Sequence, residues 1–395
     1  MHVLLFSDFG LPDSCANATR VFSFARLLRE GGHRVSLLGV SYDRKQSLTG
    51  TYNGFDFEML RAKPYYGMRA YKRVADLNRQ LTVYLQQLQT ENPVDAILLS
   101  DVYYDLSGVF RRFSKKYSVP LIVNAVEWYE KDNVQFKGLT GKVNFIKNRI
   151  ALRYIHKNMK NILAISSLLD EYYKTRGCNT VTVPTIVDTE AYASVARIAA
   201  SDRQTVHIAY AGNPGKKDYV LNAVRALPLL TEAERAQLEL HFYGVTEEQL
   251  RRLGSFEHLG NVVCHGRIPY EQVKEKIADA DFTVLLRPNL RYANAGFPTK
   301  VGESMMCGTP VIANITSDLG RYIIDGKTGF VCADETAESC AAAFRKALGM
   351  TDAERETMRE NTLEMGKRAF DYRAYAEVME RFLQQTKIQT KEETA

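Results

Sequence analysis

Two kinds of segment alternate along the chain: short, wholly apolar runs, and longer stretches in which apolar residues recur every three or four positions. Val3-Leu4-Leu5-Phe6 leads through Gly10-Leu11-Pro12 to a helix predicted from about Ala18 to Glu30 and closed by Gly31-Gly32, after which Arg34-Val35-Ser36-Leu37-Leu38 returns as a strand. Ala96 to Ser100, Leu121 to Asn124, Leu163 to Ser166 and Val181 to Pro184 read as further strands. Such alternation predicts an α/β fold, a parallel sheet wrapped by helices. From Asp188 to Gln204 the periodicity fades, and this stretch reads as a linker. A second series follows, with strands at His207 to Gly212, Leu238 to Gly244, Val262-Val263, Phe282 to Leu286 and Pro310 to Ala313. The pattern therefore predicts two Rossmann-like halves, residues 1–187 and 188–369. Their ligands belong at the carboxyl ends of the strands.

A length of 395 residues fits this division, since one hydrophobic core rarely supports so long a chain. Met1 to Phe6 reads as a first strand rather than a signal peptide, because no basic region precedes it and no small-residue cleavage site follows. No apolar window is long enough to cross a bilayer, so the expectation is a cytoplasmic protein, soluble or peripheral at the inner face of the membrane. The six cysteines show neither C-x-x-C nor Cys/His metal spacing, which argues for a reducing compartment and against structural zinc.

Charge adds an asymmetry. Residues 1–190 carry 26 Lys and Arg against 18 Asp and Glu, and the remainder carries 26 against 28. The basic half should meet something anionic, although no nucleic-acid partner is expected. Seven of its cations fall between Lys137 and Lys160, interleaved with Phe145, Ile146, Ile150, Leu152, Tyr154 and Ile155 at helical spacing. Two readings of this basic amphipathic segment stand side by side: a solvated helix face, or a surface that touches anionic lipid.

The stretch from Gly296 to Ile312 is the most informative in the chain. A loop, Gly296-Phe297-Pro298, enters a helix that starts near Thr299, runs through Glu303 and stops at Gly308 before a buried strand. A helix N-terminus presents unpaired N–H groups and partial positive charge to an anion. Lys300 in the first turn opposes the macrodipole, a conflict that an anionic ligand would relieve.

These residues resemble the retaining GT-B glycosyltransferases of the bacterial polysaccharide and glycogen-synthase-like group, of the glycosyltransferase family 4 type. That family carries a Glu, seven residues, a second Glu, and then Gly-x-Pro-Val. Glu303 matches the second Glu, which the resemblance places on the nucleotide ribose, and Gly296 and Phe297 match the small and aromatic residues after the first. Ala295 stands where the first Glu would be, with Asn294 beside it as the substitute. Phe297-Pro298-Thr299-Lys300 looks like a subgroup of capsule and cell-surface sugar transferases. Ala211-Gly212-Asn213-Pro214-Gly215-Lys216-Lys217-Asp218 resembles the family's Gly-rich turn with a diphosphate-binding Lys, assigned to Lys217 with Lys216 as alternative. Arg287, or else Lys300, is the second diphosphate cation. In the first half, Gly10 lies in the loop that resembles the family's Gly-rich turn opposite the donor phosphates. Glu127, beside the single tryptophan Trp128, is the candidate for the acceptor side; a packed Trp with a neighbouring carboxylate is the plainer reading.

The resemblance implies a GT-B fold, two Rossmann-like domains facing each other across a cleft. It also implies that a C-terminal helix, about residues 370–387, crosses back to the first domain and leaves 388–395 as a loose tail. It further implies transfer of a sugar from a nucleoside-diphosphate donor to a glycan or lipid-linked acceptor, with retention, in surface polysaccharide or glycoconjugate synthesis. No Asp-x-Asp pair is placed for a divalent ion, so metal independence is expected, and no cofactor beyond the donor co-substrate. The rival is a non-catalytic sugar-nucleotide-binding or scaffold subunit.

Overall fold

The structure, a computed structural model, describes residues 1–12, 16–63, 70–100, 104–130, 138–193, 195, 205–214, 217–256 and 260–394. The chain divides into two compact units, Met1–Ile186 with Tyr372–Ala395, and Val187–Asp371.

The first unit begins β1 (His2–Ser7), α1 (Ala16–Glu30), β2 (Arg34–Ser41), β3 (Thr49–Tyr52), β4 (Phe55–Arg61), α2 (Ala70–Glu91) and β5 (Ala96–Ser100). It continues α3 (Tyr104–Tyr117), β6 (Leu121–Ala125), α4 (Gly138–Ile150), α5 (His156–Met159), β7 (Asn161–Ala164), α6 (Ser167–Lys174) and β8 (Asn179–Thr182). Strands β1, β5 and β6 are buried along their whole length, as a sheet covered on both faces requires. The eight strands lie in the order β3-β4-β2-β1-β5-β6-β7-β8, all parallel except β3, which pairs antiparallel with β4. Helix α2 turns Leu77, Leu81 and Leu85 inward at a spacing of four.

Between α4 and α5 the helix widens into a π turn over Ala151–Ile155. The Tyr173 hydroxyl donates to the Leu152 carbonyl there, at 3.0 Å. Of the basic segment, Phe145, Leu152 and Ile155 are buried, while Val143, Ile146 and Tyr154 are exposed beside Lys142, Arg149 and Arg153. Lys147 is not a free surface cation, because its ammonium donates to both oxygens of Asp105. Lys137 lies outside the described residues.

The second unit starts with α7 (Glu190–Ala193) and builds β9 (Val206–Ala211), α8 (Val220–Ala226), α9 (Glu232–Ala236), β10 (Leu238–Tyr243), α10 (Glu247–Leu253), β11 (Val262–Gly266) and α11 (Tyr270–Asp279). Then come β12 (Phe282–Leu285), α12 (Arg291–Ala295), α13 (Thr299–Met306), β13 (Val311–Asn314), β14 (Gly329–Cys332), α14 (Ala337–Leu348) and α15 (Asp352–Phe370). Its six strands run β11-β10-β9-β12-β13-β14, all parallel. Of the stretch read as a linker, 194 and 196–204 lie outside the described residues, and the rest includes the single helical turn α7.

After α15 a 3₁₀ turn, Tyr372–Tyr375, leads to α16 (Ala376–Thr394). Tyr372, Met379, Phe382 and Leu383 are buried in the core of the first unit with Val3, Leu5 and Phe24. Two charged contacts hold the helix there as well, Glu380 to His33 at 2.8 Å and Lys387 to Asp95 at 3.3 Å.

Candidate functional site

In the second unit, residues at the carboxyl ends of three adjacent strands, β9, β12 and β13, surround a cluster of charge. After β9, Gly212 turns the chain with φ +128°, a backbone conformation that side-chain-bearing residues rarely adopt. A Cβ here would lie 2.7 Å from Cε of Lys300, so the glycine also makes room for that lysine. After β12, Arg287 is pinned by the residue that ends β13: its N–H donates to Oδ1 of Asn314 at 2.9 Å, and the Asn314 amide donates back to the Arg287 carbonyl at 2.7 Å. Lys300 enters from the first turn of α13.

The hub of this arrangement is Asp218. Its carboxylate accepts from Arg287 Nε at 3.1 Å, from Lys300 Nζ at 2.9 Å and from the Tyr210 hydroxyl at 2.7 Å. Burial alone would raise this carboxyl's pKa, but Lys300 and Arg287 outweigh it and hold the group below the usual carboxylate range. The Tyr210 hydroxyl is pushed well up, by burial and then by the Asp218 charge, and stays a donor. Two cations and one anion leave a net positive charge. Arg287 is 7% exposed, and its Nη1 is buried with no hydrogen-bond partner among the described residues. A buried donor left unmade is costly, and this nitrogen, itself closed off from solvent, gains a charge-assisted bond to an anion only when the side chains around it move aside.

Helix α13 adds a second donor set. Its N-cap is Pro298, which provides no side-chain cap and leaves the first-turn N–H groups without one, and Lys300 of that turn shares Asp218 with Arg287. The helix is anchored from below: Ser304 Oγ lies 2.6 Å from Thr283 Oγ1 on β12 and donates to the Thr309 carbonyl at 2.8 Å. Glu303 is half-buried, one turn on from Thr299. The anion that the sequence demands beside Lys300 is thus supplied in part by the protein itself, through Asp218.

The other residues singled out from the sequence fall around this centre. Lys217 is half-buried in the turn next to Asp218, Asn213 is exposed after Gly212, and Lys216 lies outside the described residues. Asn294 serves the local loops, accepting from Ser317 N–H at 2.8 Å and donating to Asn289 at 2.8 Å and to the Leu290 carbonyl at 3.1 Å. Gly296 links α12 to Pro298, and Phe297 between them is a core residue whose ring meets Tyr322 edge-on at 5.6 Å and Phe370 at 5.7 Å. Ala295 is fully buried, so a longer acid in its place would have to displace packed neighbours. The sequence reading assigned no role to Asp218, Tyr210 or Asn314, although Asp218 lies immediately after the lysine pair.

Gly10 and Glu127 belong to the first unit. Gly10 lies beside Gln46, whose amide donates to the Leu11 carbonyl at 2.8 Å. Glu127 is half-buried after β6; the neighbouring Trp128 is buried, packed edge-on against Tyr172 at 4.9 Å. At the carboxyl end of β1, the Asp8 carboxyl accepts from the Tyr42 hydroxyl at 2.7 Å, yet burial pushes its pKa up to about 7, with Asp105 adding to the rise.

Residues 196–365 match the family model of the Glycosyl transferases group 1. No curated protein sequence matches the chain. Among solved structures, sucrose-phosphate synthase from Thermosynechococcus elongatus is similar over 97% of this chain and 98% of its own, at 17% identity and a TM-score of 0.74. The Anabaena protein HepE, in complex with UDP and glucose, is similar over 98% of this chain and 100% of its own, at 15% identity and a TM-score of 0.67. Trehalose-6-phosphate synthase OtsA is similar over 98% and 99%, at 11% identity and a TM-score of 0.71. The fold is therefore that of the GT-B proteins, two Rossmann-like α/β units in one chain.

Proposed function

We propose that the chain transfers a sugar from a nucleoside-diphosphate sugar, held on the second unit, to a glycan or lipid-linked acceptor. The observation that carries this reading is Arg287: a buried guanidinium with one nitrogen unpartnered among the described residues, at the carboxyl end of β12 beside Lys300, within the segment that matches the Glycosyl transferases group 1. Diphosphate oxygens suit that nitrogen and the first-turn N–H groups of α13.

In this account Arg287, Lys300 and Lys217 hold the diphosphate, with Lys216 as the alternative to Lys217. Gly212 and Asn213 let it approach the backbone, and Glu303 accepts from the ribose hydroxyls. The loop Asn294, Gly296, Phe297, Pro298 and Thr299 shapes the rest of the pocket. As the bond between the sugar and the β-phosphate breaks, negative charge grows on the leaving diphosphate, and preorganised cations stabilise it in the transition state. Fixed side-chain cations do this without a divalent ion, and the sugar keeps its anomeric configuration. Gly10 and Glu127 are the first unit's contribution, Glu127 on the acceptor side. The structure of HepE with UDP and glucose makes a uridine donor the first to try. The exposed Val143, Ile146 and Tyr154, set among Lys142, Arg149 and Arg153, favour an acceptor presented at an anionic membrane surface, in surface glycoconjugate synthesis. No helix among the described residues is long and apolar enough to cross a membrane.

Ala295, in place of the family's first Glu, favours one rival, a sugar-nucleotide-binding subunit without transfer activity. The deciding assay follows nucleoside-diphosphate release from UDP-, GDP- and ADP-sugars, with chelator present and with lipid-linked acceptors in neutral or anionic vesicles. Acceptor-dependent release in chelator, faster on anionic vesicles, supports the proposal. Tight donor binding with no release on any acceptor supports the rival.

A further inference from the structure

Three side chains with metal-ligating atoms converge on the sheet of the second unit, away from the Arg287 site. Glu239 and His241 are two residues apart on β10, where Leu238, Leu240 and Phe242 face the buried side and leave both polar groups on the other face. The strand register places His207 of β9 directly beside Glu239. The Nε2 atoms of His207 and His241 lie 3.4 and 3.2 Å from the same oxygen, Oε2 of Glu239. One ligand atom from each residue falls within 4.8 Å of the others.

Ring contacts line these side chains up. His207 and His241 have centroids 4.6 Å apart, His241 and His265 of β11 lie 5.4 Å apart at 15°, and Tyr243 covers His265 at 4.4 Å. His241 Nδ1 is 3.1 Å from His265 Nε2. A ligating imidazole is usually held by a hydrogen bond from its other nitrogen, and His265 is placed to accept one.

We propose that His207, Glu239 and His241 form a binding site for a zinc-type divalent ion that staples β9 to β10. A tetrahedral zinc with bonds of about 2.0–2.1 Å separates its ligand atoms by roughly 3.3 Å. The two imidazole-to-carboxylate distances already match that edge, and all three ligand atoms lie within 4.8 Å of one another. Nitrogen and oxygen donors in this number suit zinc, with water as fourth ligand. Binding takes the Nε2 lone pairs, so the ring proton of His241 resides on Nδ1 and is donated to His265. The Cys/His spacing that announces a zinc site in a sequence is missing because the sheet, not a loop, gathers these ligands. Thr283 of β12 pairs with Ala209, two residues beyond His207, whereas Arg287 lies past the far end of β12. The ion therefore lies apart from Arg287, and its proposed effect is to tie β9 to β10.

The test uses the full chain after chelator treatment. Cobalt(II) added at neutral pH should give the visible absorption of a tetrahedral N/O site, saturating at one ion per chain and bleached by zinc, and zinc should raise Tm. His207→Ala and His241→Gln should each abolish the band and the Tm rise, whereas His265→Ala should weaken zinc binding by about 10–100-fold. Retained far-UV dichroism and an unchanged UDP response would show that the variants are folded. The proposal is overturned if the wild type shows neither band nor Tm rise, or if both persist in the His207→Ala/His241→Gln double variant.

Discussion

Replacing Asp218 with Asn keeps the shape of the side chain and removes the charge that binds Arg287 and Lys300 together. Lys300, 29% exposed in its side chain, can turn toward solvent, whereas the Arg287 side chain, 9% exposed, cannot. Removing one partner of a buried pair costs about 3–5 kcal/mol, and the mobility of Lys300 places the expected loss near the lower limit, about 3 kcal/mol at pH 7. For a unit of this size that corresponds to a fall in Tm of roughly 6–12 °C. The sign of the pH dependence follows from the lowered carboxyl pKa. The stabilisation is fully present above the unfolded carboxyl value of about 4 and is lost as pH falls through the still lower folded value. Chemical denaturation of wild type, Asp218→Asn, Arg287→Met and the double variant at pH 7 gives the coupling directly. A coupling energy above about 1 kcal/mol between positions 218 and 287 is expected, beyond the ~0.5 kcal/mol scatter of independent sites. A coupling within that scatter, or a single variant as stable as wild type, refutes the hub.

Asp8 carries the opposite sign. Its carboxyl, raised to about 7 by burial and by Asp105 against the opposing pull of Tyr42 and Arg73, keeps its proton in the folded state over a range where the unfolded chain has released it. Wild type should therefore lose stability relative to Asp8→Asn as pH rises from about 4 to 7, with no further change above; denaturation at pH 5 and 8 checks it, and a constant difference disproves it.

Much of the architecture could be read from apolar runs, because a parallel sheet covered on both faces forces its strands to be continuously hydrophobic. Strands β1, β9, β10, β12 and β13 follow the expected runs within one residue at each end, whereas β11 runs three residues beyond the expected Val262-Val263. The β3–β4 hairpin did not show, since Thr49 to Tyr52 alternates with exposed positions at a sheet edge. Helix α15 was illegible for another reason: its inward stripe is Met358, Thr362, Gly366 and Phe370, with Arg359 beside it, and two of those four carry no apolar side chain. Gly366 is inward because a Cβ there would meet the Met305 carbonyl at 2.7 Å, and Arg359 because its guanidinium donates to the carbonyls of Ala278 and Ala280 at 2.6 Å.

The charged centre was half legible. Arg287 and Lys300 announce themselves by position, one after an apolar strand and one at a helix start. Asp218 does not, because its role depends on two residues 69 and 82 positions further along the chain, which only the folded sheet brings within 3.1 Å. Phe297 shows the limit of motif reading from the other side, since its ring belongs to the core with Tyr322 and Phe370.

In the proposed transfer, Arg287 donates a charged hydrogen bond to the nucleotide diphosphate. Isothermal titration of UDP into wild type and Arg287→Gln, in chelator and at a temperature where dichroism shows both folded, tests it most directly. Loss of a charged hydrogen bond of about 1.5–3 kcal/mol predicts at least a tenfold weaker dissociation constant for the variant, with wild-type binding intact in chelator. Equal affinity in the two proteins, or binding that appears only with a divalent ion, would contradict the account.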